Sequence, residues 1–207
     1  MTTKDLSKME RNLLSHLPGF ATSGRLMFIV PVKHILRGIS FEGSDFDKKS
    51  FYVNMFVLPL CVPTTHLYFN FGSRVRHAGG GDRWNTEMPN LINDLAAALK
   101  REALPFLCPI ESLNDFVNLA KSYSFTNPHT PQAIAYASAR LGDFQNARID
   151  LGQLLQQLDL KIPWQQVIKE RAEILIAELR GNPSAAQQRL ETWEAETIKN
   201  LGLDTFV

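Results

Sequence analysis

A stretch of alternating apolar and polar residues between His34 and Arg76 constrains the fold of this chain more than any other part of the sequence. It contains HILRGISFEG, FYVNMFVLPLCV and HLYFNFGSRVR, and in each segment the side chains alternate with a period near two. This period is typical of β-strands that bury one face. Because short connections join the three segments, they predict an antiparallel meander. The preceding segment, GRLMFIVPV, is rich in β-branched and aromatic residues and predicts an edge strand that ends at Pro31.

The rest of the chain follows helical patterns. An amphipathic helix is predicted before Pro18, and another begins after Pro89 and ends at Pro105. Ser112 and Asp115 have the spacing of a capping box and predict the start of a further helix. The predicted fold class is therefore α+β: an antiparallel meander sheet of about four strands packed on helices, followed by a C-terminal all-α region of helical hairpins.

The last third of the chain contains an internal repeat. Gly142 and Gly181 are each followed five residues later by alanine and then by leucine, with an offset of 39 residues. Each glycine is expected to end one helix, and Asp143 or Asn182 to cap the next. The segment IAYASARLGDFQNARIDL resembles the tetratricopeptide-type helical repeat, which implies paired helices with small residues packed between them. A Ser, Thr and Pro-rich segment near residue 125 separates a predicted α+β domain, residues 1–125, from a helical-hairpin region, residues 126–207. The two are expected to pack as one compact unit.

Period-two alternation also predicts a mixed face on the sheet. The side chains that point away from the apolar set combine aromatic rings, amides and cations, which a binding surface needs. An ordinary solvated sheet face has the same composition, and both interpretations stay open. The residues predicted to lie on this face are Tyr52, Asn54, His66, Tyr68, Asn70 and Arg74.

A glycine-rich loop follows the predicted sheet. Gly79–Gly81 lead into Arg83 and Trp84. The loop lacks the glycine spacing and the Lys-Ser or Lys-Thr pair of a phosphate-binding loop. It is either a hinge that is anchored by Trp84 in the core, or a lid from which Arg83 or Trp84 contacts a ligand.

Composition and motifs exclude several function classes. The net charge of +1 gives no electrostatic basis for binding nucleic acid or an anionic membrane. The five histidines lack the spacing of metal ligands, and no cofactor motif is present, so neither metal nor cofactor is predicted. Cys61 and Cys108 follow apolar segments and are expected to be buried, unreactive thiols. The N-terminal segment intersperses charges among its leucines, unlike a signal peptide, which favours a cytoplasmic protein.

The N-terminal part resembles an uncharacterised bacterial domain family with small antiparallel sheets packed on helices. The likeness covers roughly residues 25–120 and rests on RGISFEGS, FYVNMFVLPL, the RW pair and ALPFL. Some members of such families act as immunity proteins beside bacterial toxins. The resemblance thus implies a non-enzymatic protein-binding protein that neutralises a toxin. Two alternatives remain: an enzyme or small-ligand-binding protein with a pocket between the sheet and the Gly79–Gly81 loop, and a structural subunit of a larger assembly.

Overall fold

A computed structural model describes residues 3–123 and 127–207, with the side chains described from residue 8 onward. The chain divides into two compact units. The sheet unit comprises Met1–Leu58, Phe71–Ile110 and Gly202–Val207, and the helical unit comprises Pro59–Asn70 and Glu111–Leu201. These boundaries differ from the sequence-based division at residue 125, because the helical unit takes one segment from the middle of the predicted sheet.

The sheet is antiparallel and contains more strands than the meander predicted from the sequence. In the order β1-β2-β3-β4-β5, each strand pairs with the next, and β6 also pairs with β4. β5 and β6 therefore pair with successive parts of β4: Asn54 lies opposite Arg74, and Tyr52 lies opposite Arg83. The strands are β1 Phe20–Ser23, β2 Leu26–Ile29, β3 Ile35–Gly43, β4 Ser50–Pro59, β5 Gly72–Arg74 and β6 Arg83–Asn85.

The predicted α+β class is confirmed, and two strand predictions need correction. GRLMFIVPV does not form an edge strand, because β2 lies between β1 and β3 in the sheet. The unpredicted edge strand, β1, reads FATS and carries no alternation that would identify it. HLYFNFGSRVR forms a strand only over Gly72–Arg74. Residues 66–70 belong to the helical unit, whereas Phe71 is buried in the sheet unit.

β4 lies between β3 and the edge formed by β5 and β6, and it is buried on both faces over much of its length. Phe51, Val53 and Val57 on one face have no exposed surface, and neither do Phe56 and Leu58 on the other. The polar character predicted for the second face is therefore limited to the part of β4 that contains Tyr52 and Asn54.

Two glycines allow side chains and strands to approach closely in the sheet. A Cβ atom at Gly72 would lie 2.0 Å from the carbonyl oxygen of Met55, so only glycine fits where β5 pairs with β4. A Cβ atom at Gly38 would lie 2.8 Å from the ring of Phe56. The Phe56 ring thus packs over the backbone of β3, which extends the core across the sheet.

The helices of the sheet unit are α1 Thr3–Leu14, α2 Leu91–Ala98 and α3 Leu104–Leu107. A π-helical turn, Leu99–Ala103, joins α2 to α3 without a break. The prediction that Pro105 ends the helix was wrong. The π-helical turn widens the helix immediately before the proline, where a regular α-helix would need the N–H that proline lacks.

The last residues of the chain also belong to the sheet unit. Leu203 is fully buried, and the backbone N–H of Val32 donates a hydrogen bond to the carbonyl oxygen of Phe206 at 2.7 Å. The Phe206 ring meets Phe28 edge to face, with 4.9 Å between ring centroids. This C-terminal segment thus packs beside β2.

The helical unit contains the predicted hairpins, in which α5 packs on α6 and α7 on α8. Its helices are α4 Leu113–Ala120, α5 His129–Arg140, α6 Phe144–Gln157, α7 Pro163–Gly181 and α8 Pro183–Asn200. Every residue of α5 from Thr130 to Ala139 is buried, so α5 is the central helix of this unit. No helix within the described residues is both long and apolar enough to cross a membrane.

The predicted helix caps are partly confirmed. Ser112 and Asp115 form a reciprocal capping box at the start of α4, and the Asp143 carboxylate accepts a hydrogen bond from the Asn146 N–H at 3.3 Å. Gly142 ends α5 with a φ of 84°, which favours glycine. Asn182 was predicted to cap α8, but its side chain makes no capping hydrogen bond. The backbone carbonyl oxygen of Asn182 instead accepts a hydrogen bond from the Ala185 N–H at 2.9 Å, and Pro183 at the first helical position has no N–H that needs a partner.

Candidate functional site

The structure divides the predicted polar face between the two units. Tyr52, Asn54, Arg74 and Arg83 lie on one face of the sheet, because the strand register places them opposite one another. Three further residues predicted for the same surface, His66, Tyr68 and Asn70, precede β5 and lie in the helical unit. These seven residues therefore do not form one surface on a single sheet.

The polar groups on the sheet face bind mainly to one another. Arg74 stacks on the Tyr52 ring, with 3.9 Å between its guanidinium carbon and the ring centroid. The same guanidinium donates a hydrogen bond to Asp82 at 3.1 Å. The buried Asn54 amide donates a long hydrogen bond to Glu42 at 3.4 Å. Because these contacts occupy the charged and amide groups, the face has little unused bonding capacity except at the exposed Arg83.

Trp84 and the glycine loop are structural in the form described here. Trp84 has no exposed surface, and its indole N–H donates to the carbonyl oxygen of Val75 at 3.0 Å. This geometry confirms Trp84 as a core anchor. The His77 ring fills the inside of the glycine loop, since Cβ atoms at Gly79 and Gly81 would lie within 3 Å of it. The His77 ring therefore occupies the space that side chains at these two positions would need.

A groove that the sequence did not predict lies elsewhere on the sheet unit. It has a volume of about 800 Å³ and is formed by α1, the loop before β4 and the start of α2. Three lysines line it: Lys8, Lys48 and Lys49. The Lys49 ammonium forms a salt bridge with the Glu87 carboxylate, at 2.6 Å. Apolar surface in the same groove comes from Met9, Met88, Pro89, Leu91 and Ile92.

The loop beside this groove exposes a phenylalanine. Phe46 is 100% exposed. The loop is held by the Asp47 carboxylate, which accepts hydrogen bonds from the Lys49 N–H at 2.9 Å and the Ser50 hydroxyl at 2.6 Å. The Ser50 hydrogen bond is the main reason that the pKa of Asp47 lies below its usual range. Phe46 adds an exposed aromatic ring to the surface of the loop that leads into the groove.

The helical unit contains a second cavity, of about 570 Å³, in which His66 and Tyr68 take part. The His129 ring lies between two aromatic neighbours. It is 5.9 Å from Tyr68 with a 20° angle between planes, and 4.9 Å from Trp164 with a 14° angle. Burial lowers the pKa of His129, so the neutral imidazole is favoured. The cavity therefore has a wall of three nearly parallel rings, of which Trp164 is the outermost and is 44% exposed.

Two polar groups in this region are buried without a hydrogen-bond partner within the described part of the chain: the Tyr68 hydroxyl and the Asn70 amide nitrogen. Burial also raises the pKa of Tyr68, so its hydroxyl keeps its proton at neutral pH. Such unsatisfied groups are uncommon in folded proteins. Each therefore lowers the stability of this segment relative to a fully hydrogen-bonded one.

The two cysteines differ in their surroundings. Cys61 is fully buried, and burial raises the pKa of its thiol to about 12, which makes it unreactive. Cys108 is exposed, so the prediction of a buried thiol was wrong for this residue. It lies at the C-terminal end of α3, where the apolar sequence before it covers the core and the cysteine faces outward.

Within residues 3–123 and 127–207, no cluster of three or more His, Cys, Asp or Glu side chains could hold a metal ion. Comparison with known protein families, curated proteins and solved structures finds no match for this chain. The fold and the two cavities thus define an α+β protein with two separate candidate sites.

Sequence reasoning missed the groove because its residues come from three distant parts of the chain. Lys48 and Lys49 are adjacent charges in a polar loop, which by themselves indicate only a solvated surface. Met88 to Ile92 were interpreted as the start of a helix. The signal that could have identified the site is Phe46, a large apolar residue in a loop that is otherwise polar.

Proposed function

We propose that this chain is a non-enzymatic, cytoplasmic protein-binding protein that uses the lysine-lined groove of its sheet unit. The observation that carries this proposal is the pairing of an apolar groove with cationic side chains and a fully exposed Phe46 beside it. Apolar area supplies most of the affinity of protein interfaces, and charges at the rim select the partner. The exposed, unpaired Cys108 thiol favours a reducing compartment.

The groove favours a partner of defined chemistry. A segment with apolar side chains on one face would fill the space above Met9, Leu91 and Ile92. Acidic side chains along its edge would complement the positive charge of Lys8 and Lys48, which line the same groove. We therefore propose an amphipathic, acidic segment of another protein as the occupant.

The resemblance of residues 25–120 to bacterial domains linked with immunity supports a toxin as the partner. In that role the protein would block a toxin by covering its acidic segment, without any chemistry of its own. This agrees with a site that holds lysines and apolar side chains and lacks an arrangement of nucleophile and base.

Capture from an extract of the source organism tests the binding proposal. The full chain serves as bait, in parallel with the double variant Lys8→Glu/Lys48→Glu and a control, Lys121→Glu, which reverses an exposed charge of the helical unit. We expect one partner to be retained by the wild type and the control and lost by the double variant. Failure to capture a partner, or retention by the double variant when circular dichroism shows it to be folded, would refute the groove as the site.

The captured partner then tests the toxin role separately. Its gene is expressed in a bacterial host alone and together with this chain. Arrest of growth that co-expression relieves supports immunity, and relief should be lost with the double variant. A partner that is harmless when expressed alone would rule out the toxin role while leaving protein binding intact.

A further inference from the structure

The cavity of the helical unit carries a second inference, independent of the lysine-lined groove. Its aromatic wall ends at Trp164, and the outer part of that indole is exposed to solvent. Tyr68, His129 and Trp164 lie in nearly parallel planes, so a planar ring placed against Trp164 would continue an existing stack. Val167 and Ile168 follow Trp164 at helical spacing on α7 and add apolar surface beside that position.

Opposite charges line the same cavity. Arg171 lies two turns after Trp164 on α7, and Glu196 lies near the end of α8. The Arg171 guanidinium donates one hydrogen bond, to the carbonyl oxygen of Pro63 at 3.2 Å. Among the residues that the structure describes, no side chain forms a hydrogen bond or ion pair with Glu196. The cavity therefore presents a cation and an anion that do not neutralise each other.

We infer that this cavity binds a free aromatic amino acid. The ligand ring would stack on Trp164, its carboxylate would pair with Arg171, and its ammonium would pair with Glu196. The volume of about 570 Å³ lies within the range of roughly 300–1,000 Å³ that is typical of small-molecule sites.

The two charges distinguish a free amino acid from a peptide end. An N-terminal residue of a peptide carries the ammonium without the carboxylate, and a C-terminal residue carries the carboxylate without the ammonium. Only a free amino acid carries both charges beside its ring. A cavity with both an unpaired acid and a guanidinium is therefore better matched by the free molecule than by either chain end.

Titration calorimetry of the full chain with four probes tests this inference. The probes are L-phenylalanine, N-acetyl-L-phenylalanine without the ammonium, L-phenylalaninamide without the carboxylate, and L-leucine without the aromatic ring. We expect L-phenylalanine to bind most tightly and each other probe to bind roughly tenfold or more weakly, since a charge-assisted hydrogen bond or a ring stack is lost. Equal affinity for all four, or no binding of L-phenylalanine at millimolar concentration, would overturn the inference.

Glu196→Gln provides the sharpest variant, because this exposed side chain supports no other residue. It should weaken L-phenylalanine and L-phenylalaninamide by a similar factor and leave N-acetyl-L-phenylalanine unchanged. Glu170→Gln is the matched control on α7, since Glu170 is exposed and outside the cavity, and it should leave all affinities unchanged. Unchanged binding of L-phenylalanine to Glu196→Gln would exclude the assigned ammonium site.

Discussion

The sheet unit and the helical unit differ in how they satisfy their polar side chains. In the sheet unit, Trp84, Arg74 and Asn54 each have a partner within the unit. In the helical unit, the Tyr68 hydroxyl and the Asn70 amide nitrogen are buried without one. Strand register fixes which side chains face each other, so partners are found readily in a sheet. The segment before β5 has no such register, and two of its buried polar groups have no hydrogen-bond partner in the described part of the chain.

The sheet unit also contains a buried polar atom without a hydrogen-bond partner, namely one carboxylate oxygen of Glu10. Burial raises the pKa of Glu10, and the charge of Arg25 opposes that shift. The contrast between the units is therefore one of location. In the sheet unit the exception lies on α1, outside the strands, whereas in the helical unit the Tyr68 hydroxyl belongs to a residue that lines the cavity.

The largest effect is expected where the sheet is packed most tightly. Gly72→Ala should lower the free energy of unfolding by about 3 kcal/mol or more, because the new Cβ would overlap the Met55 carbonyl oxygen. Gly43→Ala is the control, since a Cβ there meets no atom within 4 Å, and it should change stability by less than about 0.5 kcal/mol. Chemical denaturation followed by circular dichroism measures both. Similar effects of the two substitutions would contradict the close pairing of β5 with β4.

Two tryptophans provide the next largest difference. Trp84→Phe should lower the free energy of unfolding by about 2–3 kcal/mol. It leaves a cavity in the core and removes the indole N–H that donates to the Val75 carbonyl oxygen. Trp164→Phe should cost less than about 0.5 kcal/mol, because much of that side chain is exposed. Urea denaturation of each variant measures the difference. A greater loss for Trp164→Phe would mean that the aromatic stack is a structural element rather than an available surface.

Acidification should destabilise the helical unit through His129. Burial lowers the pKa of His129, with the charge of His66 adding to the shift and a hydrogen bond that the ring donates to Gln132 opposing it. As pH falls below the ordinary histidine pKa of about 6.5, His129 is protonated in the unfolded chain but stays neutral in the folded chain until a lower pH. Stability should therefore fall with pH down to the lowered pKa of His129. Denaturation at several pH values should show a smaller loss for His129→Gln, and an equal loss in both proteins would refute this role.

The smallest effect is expected at the unsatisfied hydroxyl. Tyr68→Phe should raise the free energy of unfolding by about 0.5–1 kcal/mol, because it removes a buried donor that has no acceptor and keeps the ring stacked on His129. Thermal unfolding without any added ligand measures this gain. Loss of stability would show that the hydroxyl has a partner in solution, and would weaken the contrast between the units.

The sequence predicted the parts of the fold that depend on local pattern. Alternation identified β3 and β4, and the Ser112 capping box and Gly142 identified helix ends, because each depends on residues that are close in sequence. The segment His66 to Asn70 alternates equally well, yet it packs in the helical unit. There Thr64 bonds to Thr197 and Asn200, and Tyr68 stacks on His129. Tertiary contacts outweighed strand propensity in this segment.

Neither cavity could be predicted in the same way. The lysine-lined groove joins residues near positions 8, 48 and 90, and the helical cavity joins residues near positions 66, 129, 164 and 196. Such combinations depend on the packing of distant elements, about which period and composition say nothing. Individual members, notably His66 and Tyr68, were identified as candidates, but for a sheet surface to which they do not belong.

The position of the last residues bears on the order in which the chain can fold during synthesis. Leu203 and Phe206 complete the packing around Phe28 and Val32, although about 90 residues of the helical unit separate them from α3. A ribosome would release every residue of the helical unit before it released the segment that closes the sheet unit. The helical unit can therefore fold first. The contacts of Phe206 with Val32 and Phe28 beside β2 can form only afterwards.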